Sequence, residues 1–169
     1  MTYNVLWDQG TNTWASYSNT STQSVTLTSL SVGDLYGISI AAVNTLGQGP
    51  QSTPIYIIAA SNPDRMNHVS TSLVSTSVRI TWTAPTSNGA TIDSYQILIL
   101  ERLSYTFKEF KDVCNGSAAL AISNLYCDIP MSYIINNLNY QAGQLIIAKA
   151  LAHNSIGWSV ESLENQAGT

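Results

Sequence analysis

The histidines and cysteines are the side chains of this sequence best suited to chemistry, and the chain has only two of each: His68, His153, Cys114 and Cys127. No serine or cysteine motif of a catalytic triad accompanies either histidine, so nucleophilic catalysis has no support. The cysteines lie 13 positions apart, match no zinc-binding spacing and have no nearby histidine, so they form a disulfide or remain two buried thiols. Patterns for phosphate loops, metalloproteases and calcium loops are also absent. We therefore expect no enzyme, no cofactor and no metal site.

The composition argues against several classes of partner. Of the 169 residues only 9% are charged, and the formal net charge is −4. The six lysines and arginines are spread singly along the chain, which argues against nucleic acid as a partner. No apolar stretch approaches the roughly 18 residues that a membrane span needs, and the start of the chain lacks the regions of a signal peptide. Serine, threonine, asparagine and glutamine make up more than a third of the chain, so neutral polar groups must keep it soluble.

Apolar and polar residues alternate with a period of two in short runs, which is typical of β-strands. Residues 37–41, 78–82 and 95–99 each show this alternation over about one strand length. Turn signals rich in glycine, asparagine and proline separate such runs, as at residues 46–50 and 86–89. No run has a helical stripe that would cover a parallel sheet, so the pattern predicts antiparallel β-sandwiches.

The sequence contains an internal repeat. Residues 3–7 correspond to residues 95–99 at an offset of 92, and residues 42–47 correspond to residues 152–157 at an offset of 110. The second copy therefore has about 18 extra residues between these landmarks, most of them around its two cysteines.

Both copies resemble a fibronectin type III domain, and the likeness covers nearly the whole chain. In the second copy it is carried by residues 78–85, Asn88, Gly89, Ile92, Tyr95, Leu138, Gly143, Ala148, residues 152–154, Gly157 and Ser159. In the first copy it is carried by Leu30, Tyr36, residues 42–44, Gly47 and residues 49–52. The second copy, with its extra segment, is most similar to domains of long, repeat-rich surface proteins of protists. The resemblance implies an all-β fold of tandem antiparallel β-sandwiches of the fibronectin III or Ig-like type.

The resemblance also implies two domains that differ in completeness. Residues 1–61 match strands C to G only. Two residues precede the strand that begins at Tyr3, whereas the second copy has about 32 before its own, so the first sandwich lacks strands A and B. Residues 62–169 match a fibronectin III-like domain with an inserted, cysteine-stapled loop at residues 112–131.

Three aromatic residues are predicted to be core from their places in the resemblance. Trp82 and Tyr95 point inward from strands B and C and fill the space between the sheets. Tyr36 fits the tyrosine corner, in which a hydroxyl ties the loop before strand F to the sheet. The second copy has Gln144 or Ile146 at that place, so its corner must be held differently.

The inserted loop and the polar loops contain candidate sites of covalent modification. Because Cys114 and Cys127 lie close together in the inserted loop, we expect a disulfide, with two reduced buried thiols as the alternative. Asn19 and Asn115 begin the only N-x-S/T sequons and are candidates for N-linked glycans. Composition alone predicts about three sequons, so these two are no evidence of secretion.

The resemblance predicts open edges at both ends of the chain. Without strands A and B the first sandwich exposes an apolar face and unpaired strand edges, and the sequence after Ser162 stops where a last strand should still run. We therefore expect either a longer tandem chain or strands donated by a neighbouring molecule, which gives a filament when repeated head to tail. The candidate assembly residues are Trp7, Trp158, Leu163 and Thr169.

The sequence supports three functional hypotheses. The leading one is a non-catalytic structural protein of an extracellular fibre or surface stalk, which assembles end to end or by β-strand complementation. The alternative is a binding module of a receptor or adhesin, whose inserted loop recognises a protein or a carbohydrate. The third is an accessory domain of a secreted enzyme whose catalytic domain lies outside these residues. The expected location is extracellular or at the cell surface, with self-association or a longer tandem chain as the mode of assembly.

Overall fold

The structure is a computed structural model that describes residues 1–168 of the chain. It contains two compact units, Met1–Ser61 and Asn62–Thr169. Every strand pair is antiparallel, and the helices are short, so the predicted all-β fold is confirmed. The candidate assembly residue Thr169 lies outside the described residues.

The first unit is a single antiparallel sheet of five strands. Its strands are β1 (Thr2–Trp7), β2 (Ala15–Thr20), β3 (Leu35–Asn44), β4 (Gly47–Gln51) and β5 (Ile55–Ile58). They follow the order β2-β1-β3-β4, and β5 also pairs with β3, where Tyr36 lies opposite Ile57. Residues 21–34 are described and form no strand. This unit therefore has one layer, whereas strands C to G would belong to two.

One face of this sheet collects apolar side chains, because alternate residues of a strand point the same way. The opposed pairs of β1 and β3 on this face are Tyr3 with Ala42, Val5 with Ile40, and Trp7 with Ile38. In a sandwich, a face of this kind packs on the second sheet. The described residues of the first unit supply no second sheet, and we refer to these six side chains as the open face.

The second unit is a sandwich of two antiparallel sheets. Its elements are β6 (Ser70–Val74), β7 (Ser77–Thr81), β8 (Ile92–Glu101), β9 (Thr106–Glu109), α1 (Ala119–Asn124), β10 (Tyr126–Pro130), α2 (Met131–Asn136), β11 (Ala148–Asn154) and β12 (Gly157–Trp158). One sheet has the order β10-β7-β6 and the other has the order β12-β11-β8-β9. The side chains that alternate inward are 0% exposed: Val78, Ile80, Ile97, Ile99, Ala148, Ala150 and Ala152. Trp82 and Tyr95 lie in the same core, with ring centroids 5.5 Å apart.

The segment predicted as an inserted loop contains regular structure. Residues 112–131 include α1 and β10, and β10 pairs along its whole length with β7 in the smaller sheet. A disulfide joins Cys114 to Cys127, whose Cα atoms are 5.4 Å apart, and both cysteines are buried. Ala121 of α1 belongs to the same hydrophobic core. The disulfide therefore ties the start of the segment to a strand of the sandwich.

The corners of the two units are held by tyrosines at different positions. In the first unit the Tyr36 hydroxyl accepts the backbone N–H of Ser31 at 2.8 Å. In the second unit the corner tyrosine is the buried Tyr140, which comes earlier in the sequence than the predicted corner position Ile146. Its hydroxyl accepts the backbone N–H of Ile147 at 3.1 Å. Burial raises the pKa of Tyr140 above its ordinary value, so this hydroxyl keeps its proton over the whole neutral range.

The end of the chain differs from the expected open strand. Residues 159–165 lie along the edge of β11 and bond to alternate residues of that strand. Ser159, Ser162 and Asn165 donate their backbone N–H groups to alanine carbonyls of β11 at 2.8 to 3.4 Å. Their side-chain oxygens accept the N–H groups of the same alanines at 2.8 to 3.0 Å. This polar ladder occupies the place of a paired strand, so the tail is bound to its own unit, although the Leu163 side chain is 67% exposed.

Candidate functional site

The repeat allows the open face to be compared with a covered face in the same chain. Ile40 corresponds to Ala150 at the offset of 110, and Val5 corresponds to Ile97 at the offset of 92. In the second unit both equivalents are 0% exposed, because the sheet β10-β7-β6 packs on them. In the first unit Ile40 is 44% exposed, whereas Val5 is only 2% exposed. The open face therefore has the residues of a sandwich core, is exposed at Ile40 and Ala42, and is the candidate functional site.

A pocket of about 300 Å³ lies on the open face. Tyr3, Val5 and Ile40 line it from the sheet, and the segment from Thr20 to Val25 lines it from the side. Its lining has no carboxylate, ammonium, guanidinium or imidazole group. The pocket is therefore suited to a neutral, largely apolar group.

Trp7 belongs to an aromatic cluster on the open face. Its ring stacks on Tyr36 with centroids 5.9 Å apart and meets the edge of Tyr17 at 5.0 Å. Tyr36 is itself fixed by the hydrogen bond at its corner. The predicted assembly candidate Trp7 therefore lies half-buried on the exposed side of the sheet, held in place by two other rings.

The first unit is almost uncharged. Its 61 residues contain no lysine, arginine, glutamate or histidine, and only Asp8 and Asp34 carry carboxylates. Asp8 is buried, and its carboxylate accepts the N–H groups of Gly10 at 3.0 Å and Gly37 at 2.9 Å. A Cβ at Gly37 would come within 2.9 Å of this carboxylate, which explains the glycine. Sequence reasoning missed this anchor, and the available signal was an acidic residue at a strand end followed by the turn at Gly10.

The edge strand β2 has no strand partner on its outer side among residues 1–168, so it offers backbone groups next to the open face. It ends the order β2-β1-β3-β4, and its residues Ala15–Thr20 include no charge and no proline. Natural sheets commonly protect an edge strand with charged residues or proline, and β2 has neither. The sequon residue Asn19 is exposed on this strand and lies opposite Asn4, so it is on the other side of the sheet from Val5. A glycan at Asn19 would leave the open face uncovered.

The remaining predicted residues belong to the second unit. Trp158 is 41% exposed, and its ring centroid lies 4.7 Å from that of His153. The Nδ1 atom of His153 lies 2.7 Å from a carboxylate oxygen of Asp93, and this hydrogen bond lowers the pKa of Asp93. Asn115 is exposed at the start of its sequon. The surroundings of His153 thus form a partly exposed hydrogen-bonded pair with Asp93 beside an aromatic ring, with no nucleophile bonded to the imidazole among the contacts of residues 1–168.

Within the described part of the chain, no three His, Cys, Asp or Glu side chains are grouped so that they could hold a metal ion. No helix of residues 1–168 has the length and apolarity needed to cross a membrane. What the candidate site does offer is apolar contact on the open face and backbone hydrogen bonds along β2, and both are means of binding β-strands.

Comparisons with known proteins support the fold. No protein-family model matches the chain, and no curated protein matches it. A solved structure of titin domains has a TM-score of 0.52 and 18% identity, over 99% of this chain and 55% of that chain. A structure of the FN1–FN3 domains of chicken CNTN1 has a TM-score of 0.41 and 16% identity, over 97% of this chain and 54% of that one. The chain thus spans about half the length of these structures.

The titin structure supports the predicted fold and nothing more specific. With its antiparallel sheets, the chain has the predicted β-sandwich fold of the fibronectin III or Ig-like type. The narrower likeness to surface proteins of protists finds no support among these structures.

Proposed function

We propose that this chain is a non-catalytic structural module of an extracellular or cell-surface assembly, whose copies associate through the open face of the first unit. The observation that carries the proposal is the exposure of Ile40, which is 44% against 0% for its equivalent Ala150. Contiguous exposed apolar surface on a folded protein marks an interaction site. Sheet-on-sheet packing on this face would give the first unit the second layer that its repeat already has.

Energetics support association through this face. Two further isoleucines, Ile55 and Ile57, lie opposite Ile38 and Tyr36 and are 62% and 43% exposed. Fully burying a large apolar side chain contributes about 1.5–3 kcal/mol. The near absence of charge in the first unit means that little like-charge repulsion opposes the approach of a second copy.

The disulfide supports an extracellular or cell-surface location, and the exposed sequons are compatible with it. The disulfide between Cys114 and Cys127 is of a kind that persists in oxidising compartments. The sequon residues Asn19 and Asn115 are both exposed, as attachment of N-linked glycans requires. Continuation of the chain in a longer tandem array is compatible with the same role, since solenoid-like and tandem modules place binding faces at intervals.

Sedimentation velocity over a range of protein concentrations tests the proposal. We expect the chain to form dimers or larger species as concentration rises, and Ile40→Glu to remain monomeric because it places a charge on the open face. The matched control is Leu46→Glu, because Leu46 is 94% exposed in the turn between β3 and β4. A chain that is monomeric at every concentration, or an Ile40→Glu variant that associates like the parent, would contradict the proposal and favour a receptor or adhesin module.

A further inference from the structure

We infer that the pocket on the open face binds an indole ring, which is presented by a β-strand of a neighbouring polypeptide. The inward-facing residues of this strand are uncharged. The inference rests on the proposed function, because it concerns the same face. It adds the chemistry of the group that binds there.

The second unit shows which group occupies the equivalent place. Tyr3 of the pocket corresponds to Tyr95 at the offset of 92. Tyr95 packs against Trp82, which follows β7 directly, is 3% exposed and lies at a ring-centroid distance of 5.5 Å. In the first unit no described residue takes the place of Trp82, and Tyr3 lines the pocket on the open face, as its equivalent Tyr95 contacts the Trp82 ring.

The size and charge of the pocket fit the same group. About 300 Å³ is at the small end of ligand pockets, which range from about 300 to 1,000 Å³, so it has room for one large side chain and little more. A charged group would lose its hydration there without gaining a partner, since the lining has no ionised group. Thr22, Gln23 and Ser24 on the side wall have oxygens that can accept an indole N–H. An indole is therefore favoured over a purely aliphatic side chain.

The shape of the open face favours a strand as the carrier of the ring. Val5 and Ile40 are neighbours of the pocket on a pleated surface, and a strand packed on it would present a side chain inward at every second residue. Residues 78–82 of this chain have that pattern, with Val78, Ile80 and Trp82 inward. The inward positions of this model strand are uncharged, which matches the uncharged lining of the pocket.

A synthetic peptide of residues 76–85 is the probe. Labelled with a fluorophore and titrated with the full chain, it is expected to show saturable binding by fluorescence anisotropy. The same peptide with Trp82→Ala is expected to bind more weakly by about tenfold or more, because a buried aromatic anchor commonly dominates an interface. Equal binding of the two peptides, or no binding at about 1 mM chain, would overturn the inference.

Variants of the chain test whether the peptide binds at the pocket on the open face. Ile40→Glu is expected to weaken binding of the parent peptide by about tenfold or more, while Leu46→Glu leaves it unchanged. Equal binding to Ile40→Glu would overturn the assignment of the pocket, and the peptide comparison stands even if this variant folds poorly. Self-association without peptide binding would refute only the claim that the pocket binds an indole ring. Peptide binding without self-association would refute the association of copies and leave that claim standing.

Discussion

Ser162 and Ala150 form a reciprocal pair: the Ser162 N–H donates to the Ala150 carbonyl at 2.9 Å, and the Ala150 N–H donates to the Ser162 hydroxyl oxygen at 3.0 Å. The first unit repeats this pair at equivalent positions, since the Ser52 N–H donates to the Ile40 carbonyl at 2.8 Å and the Ile40 N–H donates to the Ser52 hydroxyl at 3.0 Å. One serine thus satisfies both backbone groups of a strand residue.

Removing the hydroxyl of Ser162 should destabilise the second unit. Ser162→Ala leaves the buried N–H of Ala150 without its acceptor, which costs about 1–3 kcal/mol. Urea denaturation of the full chain measures the loss. Ser72→Ala, at an exposed position of β6, is the control and should change the free energy of unfolding by less than about 0.5 kcal/mol. Equal effects of the two variants would contradict the role of the reciprocal pair.

The tyrosine corners should each contribute a measurable hydrogen bond. Tyr140→Phe removes the acceptor for the N–H of Ile147, so we expect the second unit to lose about 1 kcal/mol of stability. Tyr105→Phe, at a side chain 72% exposed, should have little effect. Thermal unfolding of the two variants beside the parent checks this prediction, and identical transitions for both would refute it.

Reduction of the disulfide should weaken the second unit. The bond between Cys114 and Cys127 closes a loop with a sequence separation of 13, for which the chain-entropy model gives about 3 kcal/mol. Urea denaturation with and without a strong reductant should therefore show a lower midpoint under reducing conditions. The double variant Cys114→Ala with Cys127→Ala should be insensitive to the reductant. A parent midpoint that reduction does not move would contradict the prediction.

The stability of the second unit should fall in acid partly through Glu101. Hydrogen bonds from Ser104 and from the Leu103 N–H lower the pKa of this carboxyl to about 2, against an ordinary value of about 4.3. The unfolded chain then binds the proton more readily, so the contribution is complete above the ordinary value and is lost as pH falls towards 2. Unfolding measured from pH 6 downward, to about pH 2, should show a shallower decline for Glu101→Gln. Parallel declines in stability for parent and variant would contradict a contribution of Glu101 to the loss of stability in acid.

Much of the fold could be predicted from the sequence because a period of two is a local signal. The alternation at residues 78–82 and 95–99 indicates β7 and β8, and it places Trp82 and Tyr95 inward. The two helices were not predicted, because six residues are too few to show an apolar stripe. Residues 21–34 of the first unit form no strand, and the described residues of that unit supply no second sheet with which a strand there could pair.

The candidate site was predictable in outline and not in detail. The comparison of the two copies predicts that residues 1–61 match strands C to G only, and this prediction indicates an exposed face. The docking of the tail was not predictable, because Ser159, Ser162 and Asn165 recur every third residue and bond through side chains, a pattern that belongs to no regular strand. Tyr140 was missed because the prediction sought a tyrosine at the position equivalent to Tyr36.

We propose that the face of the first unit is open in dilute solution and becomes covered on association. The most direct test is the rate at which a maleimide labels the thiol introduced by Ala42→Cys, measured at several protein concentrations without reductant. Ala42 is exposed, whereas its equivalent Ala152 is buried, so Ala152→Cys gives the rate for a covered position. We predict rapid labelling of Ala42→Cys in dilute solution and slower labelling as concentration rises, while Leu46→Cys is labelled at a constant rate. Labelling of Ala42→Cys as slow as that of Ala152→Cys in dilute solution, or at a rate independent of concentration, would contradict the account.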